Sequence, residues 1–173
     1  MVECTARLRP GFESRPGRMV DKTRVSLEEF VELCKDLAAK IQESKFKPDI
    51  IIGISKGGWV PARFLSDYLG IDSTASVACK SYHCKKKTQA PEITEKLSIN
   101  IKGANVLVVD DIADSGETIL VLKDYLASFK PAAVKFATLH YKPWSKAKPD
   151  YYIEETNAWI VYPWEFTEDS REN

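Results

Sequence analysis

The sequence predicts an α/β fold: a mostly parallel, twisted sheet flanked by helices, with a small C-terminal hood. Three observations predict it. Two short apolar stretches, Ile50–Ile54 and Val106–Val109, each run into a polar, glycine-bearing turn and then a helical pattern. Strand, turn, helix and strand repeat in this way along the chain, as they do where crossover helices join parallel strands. The stretches are apolar throughout rather than alternating, which marks strands buried on both faces.

Each element follows from local chemistry. Residues 1–25 hold Pro10, Gly11, Pro16 and Gly17 without a sustained period and read as an irregular arm. Ser26 is placed to cap a helix whose first turn carries Glu28 and Glu29. Phe30, Leu33, Cys34, Leu37, Ala38 and Ile41 recur at helical spacing, and the helix ends before Pro48. The strand at Ile50–Ile54 turns through Ser55, Lys56, Gly57 and Gly58 into a second helix that runs to about Leu69 and stops at Gly70. Residues 74–80 read as a strand. The stretch 81–101 is polar, lysine-rich and contains Pro91; it reads as a long loop or hairpin, of a length uncommon unless it covers a site. A strand at 105–109, a polar turn at 110–118, a helix to about Phe129, a strand over Ala132–Leu139 and short strands at 150–153 and 158–162 complete the pattern. The division is an arm at 1–25, a core at 26–140 with a lid at 81–101, and a hood with an acidic tail at 141–173.

Composition narrows the class. A chain of 173 residues, 44% hydrophobic and 29% charged, suits one domain with a real core. Lys plus Arg equals Asp plus Glu at 25 each, which argues against a nucleic-acid binder. No apolar run is long enough to span a bilayer, and the N-terminus lacks the apolar core of a signal peptide, so the expected location is the cytoplasm. The four cysteines form no CxxC pair, so neither a disulfide scaffold nor a standard zinc site is indicated.

The strongest chemical signal is the run from Val106 to Ile119. A buried strand delivers two adjacent carboxylates, Asp110 and Asp111, and at a strand end the backbone can turn both toward one pocket. Carboxylates accept hydrogen bonds from vicinal hydroxyls such as a ribose diol. Small residues then open a helix, whose unpaired N–H groups and dipole suit a phosphate. Gly116 lets the backbone approach closely, while Ser115 and Thr118 add hydroxyls. A diol with a phosphate describes a ribose 5-phosphate.

This run resembles the PRPP-binding signature of the type I phosphoribosyltransferases (PRPP is 5-phosphoribosyl-1-pyrophosphate). The resemblance covers roughly residues 26–166 and is nearest the bacterial and archaeal xanthine-guanine and hypoxanthine-guanine enzymes. It implies that Asp110 and Asp111 hold the ribose hydroxyls and lie nearest a Mg²⁺ ion. It implies that Ala113, Asp114, Ser115, Gly116, Glu117 and Thr118 wrap the 5′-phosphate. Asp114 stands where the family places the base that takes a purine ring proton. Ser55, Lys56, Gly57 and Gly58 resemble the pyrophosphate loop, which often holds a cis peptide; Lys56 stands where the xanthine-guanine enzymes carry Arg, keeping the charge but losing a bidentate fork. Ser81 and Tyr82 match the start of a flexible lid. Lys142 resembles the lysine that contacts purine O6, Trp159 the residue that stacks on the ring, and Ile160 the one whose backbone reads the ring edge. Trp164 and Glu165 lie where the family has further base-edge or metal-related contacts.

The implied reaction joins a 6-oxopurine to PRPP, in a homodimer or homotetramer. Lys142 is the argument against adenine, whose 6-amino group is itself a donor. An adenine enzyme, an enzyme for orotate, uracil or another base, and a PRPP-sensing regulator that binds nucleic acid are the rival readings. The regulator requires a basic face beyond the site, which the neutral charge does not favour.

Overall fold

The computed structural model of the chain describes residues 21–80 and 91–165, together with the backbone at 83–84 and 87–88. In order, the elements are β1 (Lys22–Arg24), α1 (Leu27–Glu43), β2 (Ile50–Ser55), α2 (Trp59–Leu69), β3 (Thr74–Lys80), β4 (His83–Cys84), β5 (Lys87–Thr88), β6 (Glu92–Glu95), β7 (Asn105–Ala113), α3 (Glu117–Ala127), β8 (Ala133–Tyr141), β9 (Tyr151–Glu155) and β10 (Trp159–Val161).

Alternation along the strands builds two cores. Ile51 of β2 and Leu107 and Val109 of β7 face α1 and α2, meeting Phe30, Leu37, Ile41 and Leu65. Ile50, Ile52, Val106 and Val108 point the other way, onto Ile119, Leu122 and Leu126 of α3. The central strands are therefore apolar on both faces because both faces are covered. The main sheet has the order β6-β3-β2-β7-β8-β9. Its pairings are parallel except for the antiparallel edge between β3 and β6.

The chain leaves β2 toward β3 on one side, whereas β7 continues to β8 on the other. The crevice at the carboxyl ends of β2 and β7 is thus the topological switch point, where ligands bind in open α/β sheets. Of the two segments singled out from the sequence, 55–58 leaves β2, and 110–118 holds the end of β7 and the turn that leads from it into α3.

Helix starts differ in a way that bears on the site. α1 has a complete capping box: Ser26 Oγ accepts from Glu29 N at 3.1 Å, and Ser26 N donates to Glu29 Oε2 at 2.8 Å. The cap residues of α2 and α3, Gly58 and Gly116, supply no capping side chain.

Two features depart from the sequence expectation, and a third gives the 81–101 stretch the hairpin that was one of its two expected forms. Residues 22–24 of the arm form β1, parallel to β10, with Trp159 N donating to Asp21 O at 2.8 Å and Val25 N to Val161 O at 3.0 Å. Strand β7 runs past Val109 to Ala113 because β8 continues to pair with it, Ile112 opposite His140 and Ala113 opposite Tyr141. Part of the 81–101 stretch is regular: β6 extends the sheet edge and β4 pairs with β5.

Candidate active site

The turn after β2 lies against the acid pair. The Ser55–Lys56 peptide is cis, the feature that the family resemblance attaches to this loop. Gly57 is buried, and a Cβ there would overlap Asp111 Oδ2 and sit 2.5 Å from its Cγ. A Cβ on Gly58 would overlap the Val109 carbonyl and lie 2.8 Å from Ile54 N. Only glycines let this turn approach β7 so closely. Lys56 projects into solvent.

Asp111 is 2% exposed, and Asp110 is half-buried. Asp110 Oδ1 accepts from Asp111 N at 3.0 Å, and Asp111 Oδ1 accepts from Ile112 N at 2.8 Å. Strand alternation slips here: Ile112 joins the same core as Leu107 and Val109, and Ala113 joins that of Val106 and Val108. That slip lets neighbouring strand residues serve one crevice.

Beneath the pair runs a buried relay that sequence reasoning missed. Tyr162 Oη donates to the Asp111 carbonyl at 2.9 Å and lies 2.7 Å from His140 Nδ1. The carbonyl only accepts and the phenol has one proton, so Nδ1 carries the His140 hydrogen. Burial, aided by the Lys142 charge, pushes the His140 pKa down to about 4. Glu154 is 3.5 Å from Nε2 but 59% exposed, so water screens it and burial prevails. His140 is therefore a neutral hydrogen-bonding group at pH 7.

The phosphate-loop candidates, residues 113–118, lead into α3 through Gly116, whose φ of 75° favours glycine. Ser115 Oγ accepts from Glu117 N at 3.3 Å. The segment after β8 lies across this loop. Lys142 N donates to Ala113 O and Lys146 N to Ser115 O, both at 2.9 Å. The Lys146 ammonium pairs with Glu117 at 2.6 Å. A Cβ on Gly116 would overlap Ser145 Oγ and sit 2.5 Å from Ala147 N.

Lys142 is 5% exposed, and its ammonium donates to the Ala158 carbonyl and lies 5.3 Å from the centre of the Trp144 ring. Burial lowers its pKa, and the Asp114 carboxylate opposes that shift. Trp144 Nε1 donates to Asp114 Oδ1 at 3.0 Å. Lys142 and Asp114 thus share one neighbourhood with Trp144, which the sequence did not mark. Trp159 is half-buried and Ile160 buried, at the start of β10. Trp164 instead stacks on Tyr162 at 4.8 Å and meets Phe30 edge-on, while Glu165 Oε2 accepts from Tyr162 N at 3.2 Å. Ser81 and Tyr82 lie outside the described residues.

Among the described residues, no group of three or more His, Cys, Asp or Glu side chains is arranged to hold a metal. Magnesium commonly binds through one or two carboxylates plus substrate phosphates, keeping its own waters. Asp110 and Asp111 fit that mode, an ion that arrives with its phosphates, rather than a preformed cage.

A mostly parallel sheet with this acid pair at its switch point, followed by a glycine-capped helix, defines a type I phosphoribosyltransferase fold. Residues 25–171 match the phosphoribosyl transferase domain family, and the chain belongs to that family. It is similar to the xanthine-guanine phosphoribosyltransferase of Cereibacter sphaeroides, 33% identical over 119 residues that cover 66% of this chain and 68% of the relative. Among solved structures it resembles the purine phosphoribosyltransferase of Pyrococcus horikoshii, with 36% identity and a TM-score of 0.75 over 84% of this chain and 95% of the other. A Neisseria gonorrhoeae protein solved with bound ppGpp shares 28% identity and a TM-score of 0.76, over 89% of this chain and 96% of that one.

Proposed function

We propose that the protein transfers the 5-phosphoribosyl group of PRPP to N9 of guanine, xanthine or hypoxanthine, giving the nucleoside 5′-monophosphate and pyrophosphate. The observation that carries this reading is that Lys142 and Asp114 both contact Trp144 and feel each other's charge, with Asp114 three residues beyond the second of the acid pair. A 6-oxopurine presents O6 and N7 on one edge, an acceptor beside a ring nitrogen, and Lys142 and Asp114 suit that edge. Adenine offers a donor at the same corner, which the lysine opposes.

Asp110 and Asp111 hold the ribose hydroxyls and favour cationic character at the sugar. The N–H groups of residues 113–118, at an α3 start without a capping side chain, receive the 5′-phosphate. Ser55, Lys56 and Gly57 lie toward the pyrophosphate, where Lys56 and the backbone N–H groups stabilise the charge that builds on the leaving group. Magnesium supplies further neutralisation of those phosphates when bound. Asp114 accepts the N7 proton as N9 attacks C1′. Trp159 stacks on the base and the Ile160 backbone reads its edge. A lid that begins at Ser81 and Tyr82 excludes water from the reactive sugar. Most of the rate then comes from positioning and electrostatics.

No helix among the described residues is long and apolar enough to cross a membrane. Action in the cytoplasm, as a homodimer or homotetramer, belongs to the same proposal, and light scattering tests the assembly.

The test is nucleotide formation from PRPP and Mg²⁺ with guanine, xanthine, hypoxanthine and adenine in parallel. Turnover of oxopurines without adenine supports the proposal. A preference for adenine overturns the role given to Lys142, and PRPP binding without turnover of any purine points to the regulator.

A further inference from the structure

The segment that follows Lys142 tracks the loop assigned to the phosphate. Lys142 N bonds Ala113 O, Lys146 N bonds Ser115 O and the Lys146 ammonium pairs with Glu117, while Ser145 and Ala147 close against Gly116. Between these anchors sits Trp144, 47% exposed, yet touching two functional candidates at once. Its indole N–H is committed to Asp114 Oδ1 at 3.0 Å, and its ring lies 5.3 Å from the Lys142 ammonium.

Chance is a poor account of that arrangement. An exposed tryptophan is ordinarily free to choose rotamers, but here backbone hydrogen bonds at residues 142 and 146 fix the chain on both sides. A carboxylate held through one oxygen keeps the other in a defined direction. An ammonium is attracted to an aromatic face, so the Trp144 ring and the Ala158 carbonyl together hold that of Lys142. One side chain therefore contacts both a cation and a carboxylate that are to meet adjacent atoms of one ligand.

We infer that Trp144 is a positioning residue for the base edge, holding Asp114 through its indole N–H and Lys142 through its ring. Together they read a 6-oxo group and the neighbouring ring nitrogen as a pair. The inference rests on the proposed function above. It assigns Trp144 no contact with the reacting atoms. Geometry at Asp114 governs proton acceptance, so loss of the N–H acts on kcat. Geometry at Lys142 governs recognition of O6, so loss of the ring also acts on the base KM. PRPP, held by the acid pair and the loop amides, is left alone.

Two variants separate the contributions. Trp144→Phe keeps a ring for Lys142 and removes the N–H; Trp144→Ala removes both. Steady-state kinetics with hypoxanthine and PRPP, with thermal melting as the check on folding, read the outcome. For Trp144→Phe we expect kcat to fall about tenfold, the scale of one hydrogen bond to a charged group, with the KM for both substrates unchanged. For Trp144→Ala the hypoxanthine KM rises as well, and the PRPP KM stays at the wild-type value. A Trp144→Phe enzyme with wild-type kcat overturns the inference. So does a loss that appears equally in the PRPP KM and the melting temperature, which would make Trp144 merely a strut for the phosphate loop. A wild-type enzyme that turns over no oxopurine refutes the proposed function instead, and that result is read before any variant.

Discussion

Replacing Gly57 with alanine aims a single methyl group at the Asp111 carboxylate, proposed to hold the ribose. The added Cβ would overlap Asp111 Oδ2 and lie 2.5 Å from Cγ and 2.7 Å from Oδ1. Asp111 has little room to retreat. It is 2% exposed, Oδ1 holds Ile112 N at 2.8 Å, and its carbonyl holds Tyr162 Oη at 2.9 Å. Either the carboxylate rotates out of the crevice or the 55–58 turn lifts away from β7. Overpacking of this kind costs about 1–3 kcal/mol, or roughly 5- to 150-fold in an equilibrium constant. Most of that cost should fall on PRPP binding, since both possible movements open the end of the crevice proposed for ribose and pyrophosphate. Gly58→Ala is the natural contrast, because its Cβ meets the Val109 carbonyl and the Ile54 backbone, which have no rotamer to change. Its cost should fall on folding. Titration calorimetry with PRPP and Mg²⁺, beside thermal melts of both variants, measures the two effects. A Gly57→Ala protein that binds PRPP as tightly as wild type refutes the reasoning.

Other expectations follow from the same contacts. Lys142→Met removes the donor assigned to O6 and should lower kcat/KM for hypoxanthine by about 10- to 100-fold, the scale of a hydrogen bond from a charged group, without weakening PRPP binding in calorimetry. His140 has its pKa lowered from 6.5 to about 4, so the unfolded chain binds its proton more readily than the folded one. The stabilisation is complete above pH 6.5 and is lost as pH falls toward 4, at most roughly 3 kcal/mol. Urea unfolding should therefore show a shallower pH dependence for His140→Asn than for wild type across that window, and identical slopes would contradict the assignment. Burial raises the Cys34 pKa to about 12; burial together with the Asp110 charge raises that of Cys79 to about 11. Neither thiol should be alkylated by iodoacetamide in the native protein near neutral pH, which peptide mass spectrometry checks.

Legibility followed the kind of force that fixed each part. The strand at Ile50–Ile54 and its partner after Asn105 were readable because continuous apolar runs are what two covered faces require. Ser26 with the acidic first-turn residues Glu28 and Glu29 announced the start of α1, because helix capping is local in sequence. Strand β1 left no such trace. Lys22, Thr23 and Arg24 are exposed, and what recruits them is backbone pairing to Trp159–Val161, far along the chain. Strand β7 outlasts its apolar run because Asp110 and Asp111 interrupt the pattern, and pairing with β8 rather than burial extends it to Ala113. Within the site, the acid pair and the glycine turns stood out as residue types suited to a sugar phosphate. The crowding of Gly57 against Asp111 did not, since it depends on how closely β2 and β7 lie. Trp144 looked like one aromatic among several in the C-terminal segment. Its contact with Asp114 spans 30 positions and exists only because the 142–147 segment folds back over the loop before α3. Tyr162 likewise belonged to an aromatic run, and only the structure shows its hydroxyl under Asp111.

The claim on which the rest depends is that the crevice between β2 and β7 holds a phosphoribosyl group. A crystal structure grown with guanosine 5′-monophosphate tests it most directly. The prediction is a 5′-phosphate on the amides of residues 113–118, ribose hydroxyls on Asp110 and Asp111, and guanine O6 facing Lys142. A nucleotide bound with its phosphate away from the start of α3, or its ribose away from the acid pair, would contradict it.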